Sequence, residues 1–86
     1  MEEIVQLIEA RIKAAGYPKE IDGLEFYKDI SAESEEKENG DYLFLVKKSE
    51  TIIYEGSMTV FEDEFDLHYV DIIDDGQTYH VDFDAE

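Results

Sequence analysis

The side chains of this chain that could do chemistry are carboxylates, in unusual number, and two histidines. Of 86 residues, 24 are Asp or Glu and only 7 are Lys or Arg, for a formal net charge of −17. All seven basic residues lie in residues 1–48, beside twelve acids; residues 49–86 carry twelve more acids and no Lys or Arg. Near the end Asp82, Asp84 and Glu86 recur at every second position. On an extended strand such residues share a face about 6.6–6.8 Å apart, on the scale of the phosphates of a polynucleotide strand, which advances about 3.4 Å per charge. Glu62, Asp63, Glu64 and Asp66 are expected beside this row, and Asp74 and Asp75 at the opposite end of the last hairpin. An array of this kind docks on a cationic groove, gains speed from electrostatic steering, and blocks the groove's usual ligand by occupying it. The competing account is a generally acidic surface that aids solubility.

Other chemistries find less support. The acids of Glu62–Asp66 and of Asp71–Gly76 lack the spacing and closing Glu of a calcium-binding loop. His68 and His80, expected on neighbouring strands, have no clear third ligand for zinc. Ser31, Ser34, Ser49 and Ser57 sit in no nucleophile-elbow context, and the five glycines are isolated, with no phosphate-cradling arrangement. There is no Cys, hence no disulfide and no thiolate, which suits a reducing cytoplasm. No catalytic residue, metal or cofactor is therefore expected. The dearth of basic residues disfavours direct binding to nucleic acid or anionic lipid. The acidic start, Met1-Glu2-Glu3, is no basic leader region, and no apolar run is long enough to span a membrane.

The elements that must position these groups follow from periodicity. Eleven aromatics and 43% hydrophobic residues are enough for a folded chain, and the length allows one small domain, 1–86, with no large enclosed cleft. Residues 2–15 read as a helix with Ile4, Ile8, Ile12 and Ala15 on one stripe widened by Val5 and Leu7. Glu9 and Lys13 are spaced to pair, Gly16 is placed to cap, and Pro18 prevents a restart. From Leu24 to Ser31 apolar residues alternate, predicting a first strand; residues 33–40 predict a mobile acidic loop between strands. Tyr42–Val46 reads as a central strand and Thr51–Phe61 as a longer one with a bulge or bend at Gly56. Phe65–Ile73 and Gln77–Phe83 form the last hairpin. A three-residue turn there, with Gly76 left-handed, sets Leu67 opposite Phe83 and Tyr69 opposite Val81 on the inner side, leaving Asp66, His68, His80, Asp82 and Asp84 outside. A two-residue Asp75-Gly76 turn is the alternative, and it moves Leu67, Tyr69 and Asp71 outward. Phe26, Phe44, Tyr54, Phe61, Tyr69 and Phe83 are expected in the core. The fold class is α+β: an N-terminal helix packed on an antiparallel meander of four or five strands spanning residues 24–84.

In size, charge and helix-plus-sheet plan the chain resembles the small acidic inhibitors carried by phages and mobile elements, among them the uracil-DNA glycosylase inhibitor and several anti-CRISPR and anti-restriction proteins. That resemblance implies a non-enzymatic viral inhibitor, a DNA mimic acting in the host cytoplasm. Its partner would be a basic nucleic-acid-binding protein such as a bacterial defence nuclease. The alternatives are an immunity or adaptor protein for a basic partner, with an apolar centre to its interface, and an acidic domain with no inhibitory role.

Overall fold

The first helix is set by spacing. In a computed structural model describing residues 2–83, α1 (Glu2–Ala14) buries Ile8 and Ile12, one turn apart, while Ile4 and Leu7 stay exposed. Its end is as the sequence predicts: Gly16 adopts φ 87°, and its amide donates to the Lys13 carbonyl. Glu9, spaced to pair with Lys13, turns instead to the next element and accepts from the Gly23 amide at 2.9 Å.

The segment expected as a first strand is a helix, α2 (Gly23–Ser34). Asp22 is its N-cap, with a carboxylate oxygen accepting from the amides of Leu24 (2.9 Å) and Glu25 (3.4 Å). Phe26 and Ile30, four residues apart, are its buried pair, whereas Leu24 and Lys28, which a strand would have turned inward, face solvent. Gly23 is required at the start: a Cβ there would lie 2.7 Å from the Val5 carbonyl, so the two helices touch through it. The acidic segment 33–40 is correspondingly shortened. Glu33 and Ser34 belong to α2, and residues 35–39 connect a helix, not a strand, to the sheet.

Four strands follow, β1 (Gly40–Lys47), β2 (Ile52–Phe61), β3 (Glu64–Asp74) and β4 (Gln77–Asp82), joined as an antiparallel meander in the order β1-β2-β3-β4. The fold is α+β, with two helices on one face of the sheet. α1 lies over β4, and α2 over β1 and β3. Between the two layers Phe26 and Ile30 of α2 and Met58, Val70, Ile72 and Val81 of the sheet are fully buried; removing the ring of Phe26 alone would cost about 3–5 kcal/mol. β1, expected at the centre, is an edge strand; its apolar run hides only alternate residues, and Leu43 is 77% exposed.

The last hairpin adopts the alternative register. Asp74 pairs with Gln77, Val70 with Val81 and Tyr69 with Asp82, so the turn is the two residues Asp75 (φ 51°) and Gly76 (φ 83°). Both take the left-handed region, which matches the twist of the flanking strands. Glu62 (φ 49°) and Asp63 (φ 66°) make the same kind of turn between β2 and β3. Tyr69 and Asp71 therefore face outward, but Leu67 does not. Ser57 pairs with Tyr69 and Met58 with Leu67, leaving His68 as an extra residue in β3. This bulge shifts the alternation by one residue, so Leu67 and Val70 both point to the core. Phe61 and Tyr69 also leave the predicted core: Phe61 is 61% exposed, and Tyr69 stacks on His80 with ring centres 5.3 Å apart.

Gly56, opposite Phe44 and Val70 and just before the bulge, is where the sheet is tightest. A Cβ would meet the Tyr69 carbonyl oxygen at 2.2 Å and the Phe44 ring at 2.8 Å. Gly56→Ala should therefore lower unfolding stability by at least about 1–3 kcal/mol, measured as a shifted urea midpoint, whereas Gly76→Asn, in open space at a turn that tolerates Asn, should change it by less.

Candidate partner-binding face

The helices cover one side of the sheet, and the acids of the strands gather on the other. Thr59 pairs with Asp41 on β1 and with Asp66 on β3, so these three residues form one row across the open face. The next row holds Leu43, Ser57, Tyr69 and Asp82, and the one beyond it Leu45, Glu55, Asp71 and His80. Asp66 and Asp71 are five residues apart and would sit on opposite faces of a regular strand; the extra residue His68 brings them to the same one.

Two hydrogen-bonded groups fix this face. The Thr59 hydroxyl lies 2.5 Å from Asp41 Oδ1 and 2.7 Å from His68 Nε2. A carboxylate can only accept, so the single hydroxyl proton goes to Asp41, and His68 must donate from Nε2. Along the sheet, His80 Nδ1 donates to Asp71 Oδ1 at 2.6 Å. Asp71 also stands directly opposite Glu55, a like-charge pair that costs roughly 0.2–1 kcal/mol. The adjoining imidazole offsets part of that cost.

Of the acids singled out in the sequence, Asp66 and Asp82 lie on this open face, Glu62 and Asp63 form the β2–β3 turn at its Asp66 end, and Glu64, expected in that turn, is the first residue of β3. The Glu62 amide is held there by the Asn39 side chain at 3.0 Å. Asp75 is exposed at the opposite end, in the β3–β4 turn. Asp84 and Glu86 lie outside the described residues, so the proposed row is represented by Asp82. Asp41, Glu55 and Asp71 complete the face and were not singled out. For Asp71 the signal was the two-residue turn, which turns it outward. For Asp41 and Glu55 it was alternation against the buried Phe44 and Tyr54.

Asp74 belongs elsewhere. It is 6% exposed, points inward, and accepts through one oxygen from the Tyr17 hydroxyl at 2.8 Å and from Lys19 at 2.7 Å. Lys19, and then the Tyr17 hydrogen bond, hold its carboxyl below the ordinary value, while burial, followed by the Asp74 bond, pushes the Tyr17 phenol up. Occupied in this way, its carboxylate is not offered to a partner. A second tie joins Lys48 to Glu25 and Asp29 of α2, the latter at 2.9 Å; both bonds raise the ammonium's pKa and anchor the end of β1 to the helix.

Away from the open face, a shallow groove runs between the end of α2 and the β2–β3 turn, and two of its polar side chains are engaged in capping. Ser34 donates to the Ser31 carbonyl and Lys37 to that of Glu33, each at 2.7 Å. Among the described residues no cluster of three or more His, Asp or Glu is arranged to hold a metal, and no helix is long and apolar enough to cross a membrane. Comparison with protein-family models, curated proteins and solved structures finds no match to this chain.

The shift at Asp74 has a definite sign. Its folded pKa lies below the ordinary 3.8, so its contribution to stability is present above that value and is lost as pH falls through the depressed one. Asp74→Asn should therefore be less stable than the parent at neutral pH, and the difference should close as the pH is taken below 3.8 in urea titrations of both proteins.

Proposed function

We propose that the chain is a non-enzymatic acidic inhibitor that lays its open sheet face on the basic, nucleic-acid-binding surface of another protein. The observation that carries this reading is that Asp41, Glu55, Asp66, Asp71 and Asp82 share one solvent-facing side of a rigid sheet. A surface made acidic only for solubility has no reason to set Glu55 opposite Asp71 at a cost to the fold. Neighbouring strands are about 4.7–4.9 Å apart and same-face residues about 6.6–6.8 Å apart along each, so the carboxylates form a fixed grid at spacings comparable to those of a phosphate backbone. The partner is a basic nucleic-acid-binding protein, most concretely a bacterial defence nuclease of the restriction or CRISPR type met by a phage protein in the host cytoplasm. Affinity comes from charge complementarity and the release of bound ions, and inhibition from occupancy.

A second reading, an immunity or adaptor protein with an apolar centre to its interface, draws on Leu43, Leu45 and Phe61, which are exposed on the same side of the sheet. The two differ in salt dependence, because apolar contact is insensitive to screening.

Immobilised chain should capture a basic protein from bacterial lysate at low ionic strength and release it with added salt, and nucleic acid should compete for the captured protein. Combined Asp66→Asn, Asp71→Asn and Asp82→Asn should weaken capture at least about tenfold and flatten its salt dependence. Capture undiminished in the triple variant would overturn the mimicry reading; capture that resists salt but fails in Leu43→Ala/Phe61→Ala would favour the adaptor.

A further inference from the structure

The strand at the sheet's first edge is built differently from the rest of the surface. β1 is eight residues long, contains no Pro, and pairs with β2 without interruption from Gly40–Val60 to Lys47–Ile53. Natural edges are blunted by bulges, prolines, inward charges or edge lysines; β1 has no bulge, Pro or inward charge, and its one lysine, Lys47, stands at the strand's last position. The Lys48 amide donates to the Ile52 carbonyl at 3.0 Å. Because backbone groups alternate in direction along a strand, the amides and carbonyls of residues 42, 44 and 46 likewise point to β2, and those of Asp41, Leu43, Leu45 and Lys47 point away from the sheet. The same four residues project their side chains onto the open face, where Leu43 is 77% and Leu45 55% exposed.

We propose that β1 is a homodimer seam, pairing antiparallel with β1 of a second copy about a two-fold axis at Phe44. The sequence is self-complementary in that register: Asp41 faces Lys47 of the other copy, Leu43 faces its Leu45, and each relation is repeated by symmetry. The register also satisfies the backbone, since Asp41–Lys47 and Leu43–Leu45 become the hydrogen-bonded pairs and Phe44 meets its equivalent in a non-hydrogen-bonded one. Shifting by two residues in either direction sets Asp41 or Lys47 against a leucine.

Charge decides between a second copy and other occupants. A chain of net charge −17 repels itself over most of its surface, but β1 itself carries one Asp and one Lys, which balance. Among the described residues Lys47 has no carboxylate partner. Charges more than about 8 Å from the seam are largely screened at physiological salt, and the two Asp41–Lys47 pairs across the seam oppose the repulsion between the nearer Glu55 side chains of β2. The β4 edge offers the opposite case, being six residues long with His80 and Asp82 and no Lys or Arg. The dimer joins two four-stranded sheets into one of eight, with both open faces on the same side. This inference is independent of the inhibitor reading.

Sedimentation and native mass measurement should give twice the 10.0 kDa chain mass, dissociating on dilution. Hydrogen exchange should protect the amides of Asp41, Leu43, Leu45 and Lys47 in step with the dimer population. Lys47→Asp, at an exposed position, should weaken dimerisation roughly tenfold by setting like charges opposite one another at two symmetric sites, and Asp41→Lys added to it should restore association. A monomer at every concentration with fast exchange at those four amides would overturn the proposal, as would a dimer indifferent to Lys47→Asp.

Discussion

Tyr17 and Lys19, in the connection between the helices, converge on one carboxylate oxygen of Asp74, at the far end of the sheet and 57 residues from the tyrosine. This contact holds the helical layer to the last hairpin, and it also fixes that hairpin's phase. With Asp74 turned inward, alternation places Ile72 and Val70 in the core and Ile73 and Asp71 outside. The turn must then be Asp75-Gly76, which in turn sets Asp82 on the open side. One carboxylate is held inside, and its neighbours are thereby directed out.

The division of labour between the two faces of the sheet explains how so acidic a chain can fold. The apolar residues are concentrated between the helices and the inner face, where Phe26, Met58, Val70 and Ile72 are wholly enclosed. Repulsion among the outer carboxylates acts across water and is weakened by it. Most of the bases lie near the helices, and two of them, Lys19 and Lys48, tie loops to carboxylates, one of which is buried. Little positive charge remains on the strands, so the field of the open side is negative by default. A scaffold of this kind can afford unfavourable neighbours such as Glu55 and Asp71 because its stability is derived elsewhere.

Much of this was legible in the residues. The first helix, its glycine cap, the turn positions and the four-stranded meander follow from spacing and turn chemistry. The second helix was hidden because Leu24, Phe26, Lys28 and Ile30 satisfy a period of two while Phe26 and Ile30 also satisfy a helical step of four. The deciding signal was Asp22 followed three residues later by Glu25, a helix-start pattern. For the candidate face, the turn acids and Asp82 could be placed from sequence, whereas Asp66 was expected outside in a register the hairpin does not adopt and reaches the open face through the bulge. Asp74 could not, because its inward position depends on a tyrosine and a lysine more than fifty residues away. Nor could the bulge at His68, since a strand with one extra residue has no local composition that distinguishes it from a regular one.

That bulge has a consequence for how the chain can vary. It acts as a phase step inside a single strand, so residues before and after it obey opposite parity while serving the same two surfaces. Deleting His68 would leave Asp66 and Asp71 four residues apart, the same step that separates their partners Thr59 and Glu55 on β2, so the strand would run regularly with Asp66, Tyr69 and Asp71 still outside and Leu67 and Val70 still inside. Among related sequences, therefore, a β3 one residue shorter here should lack the bulge and present the same two surfaces.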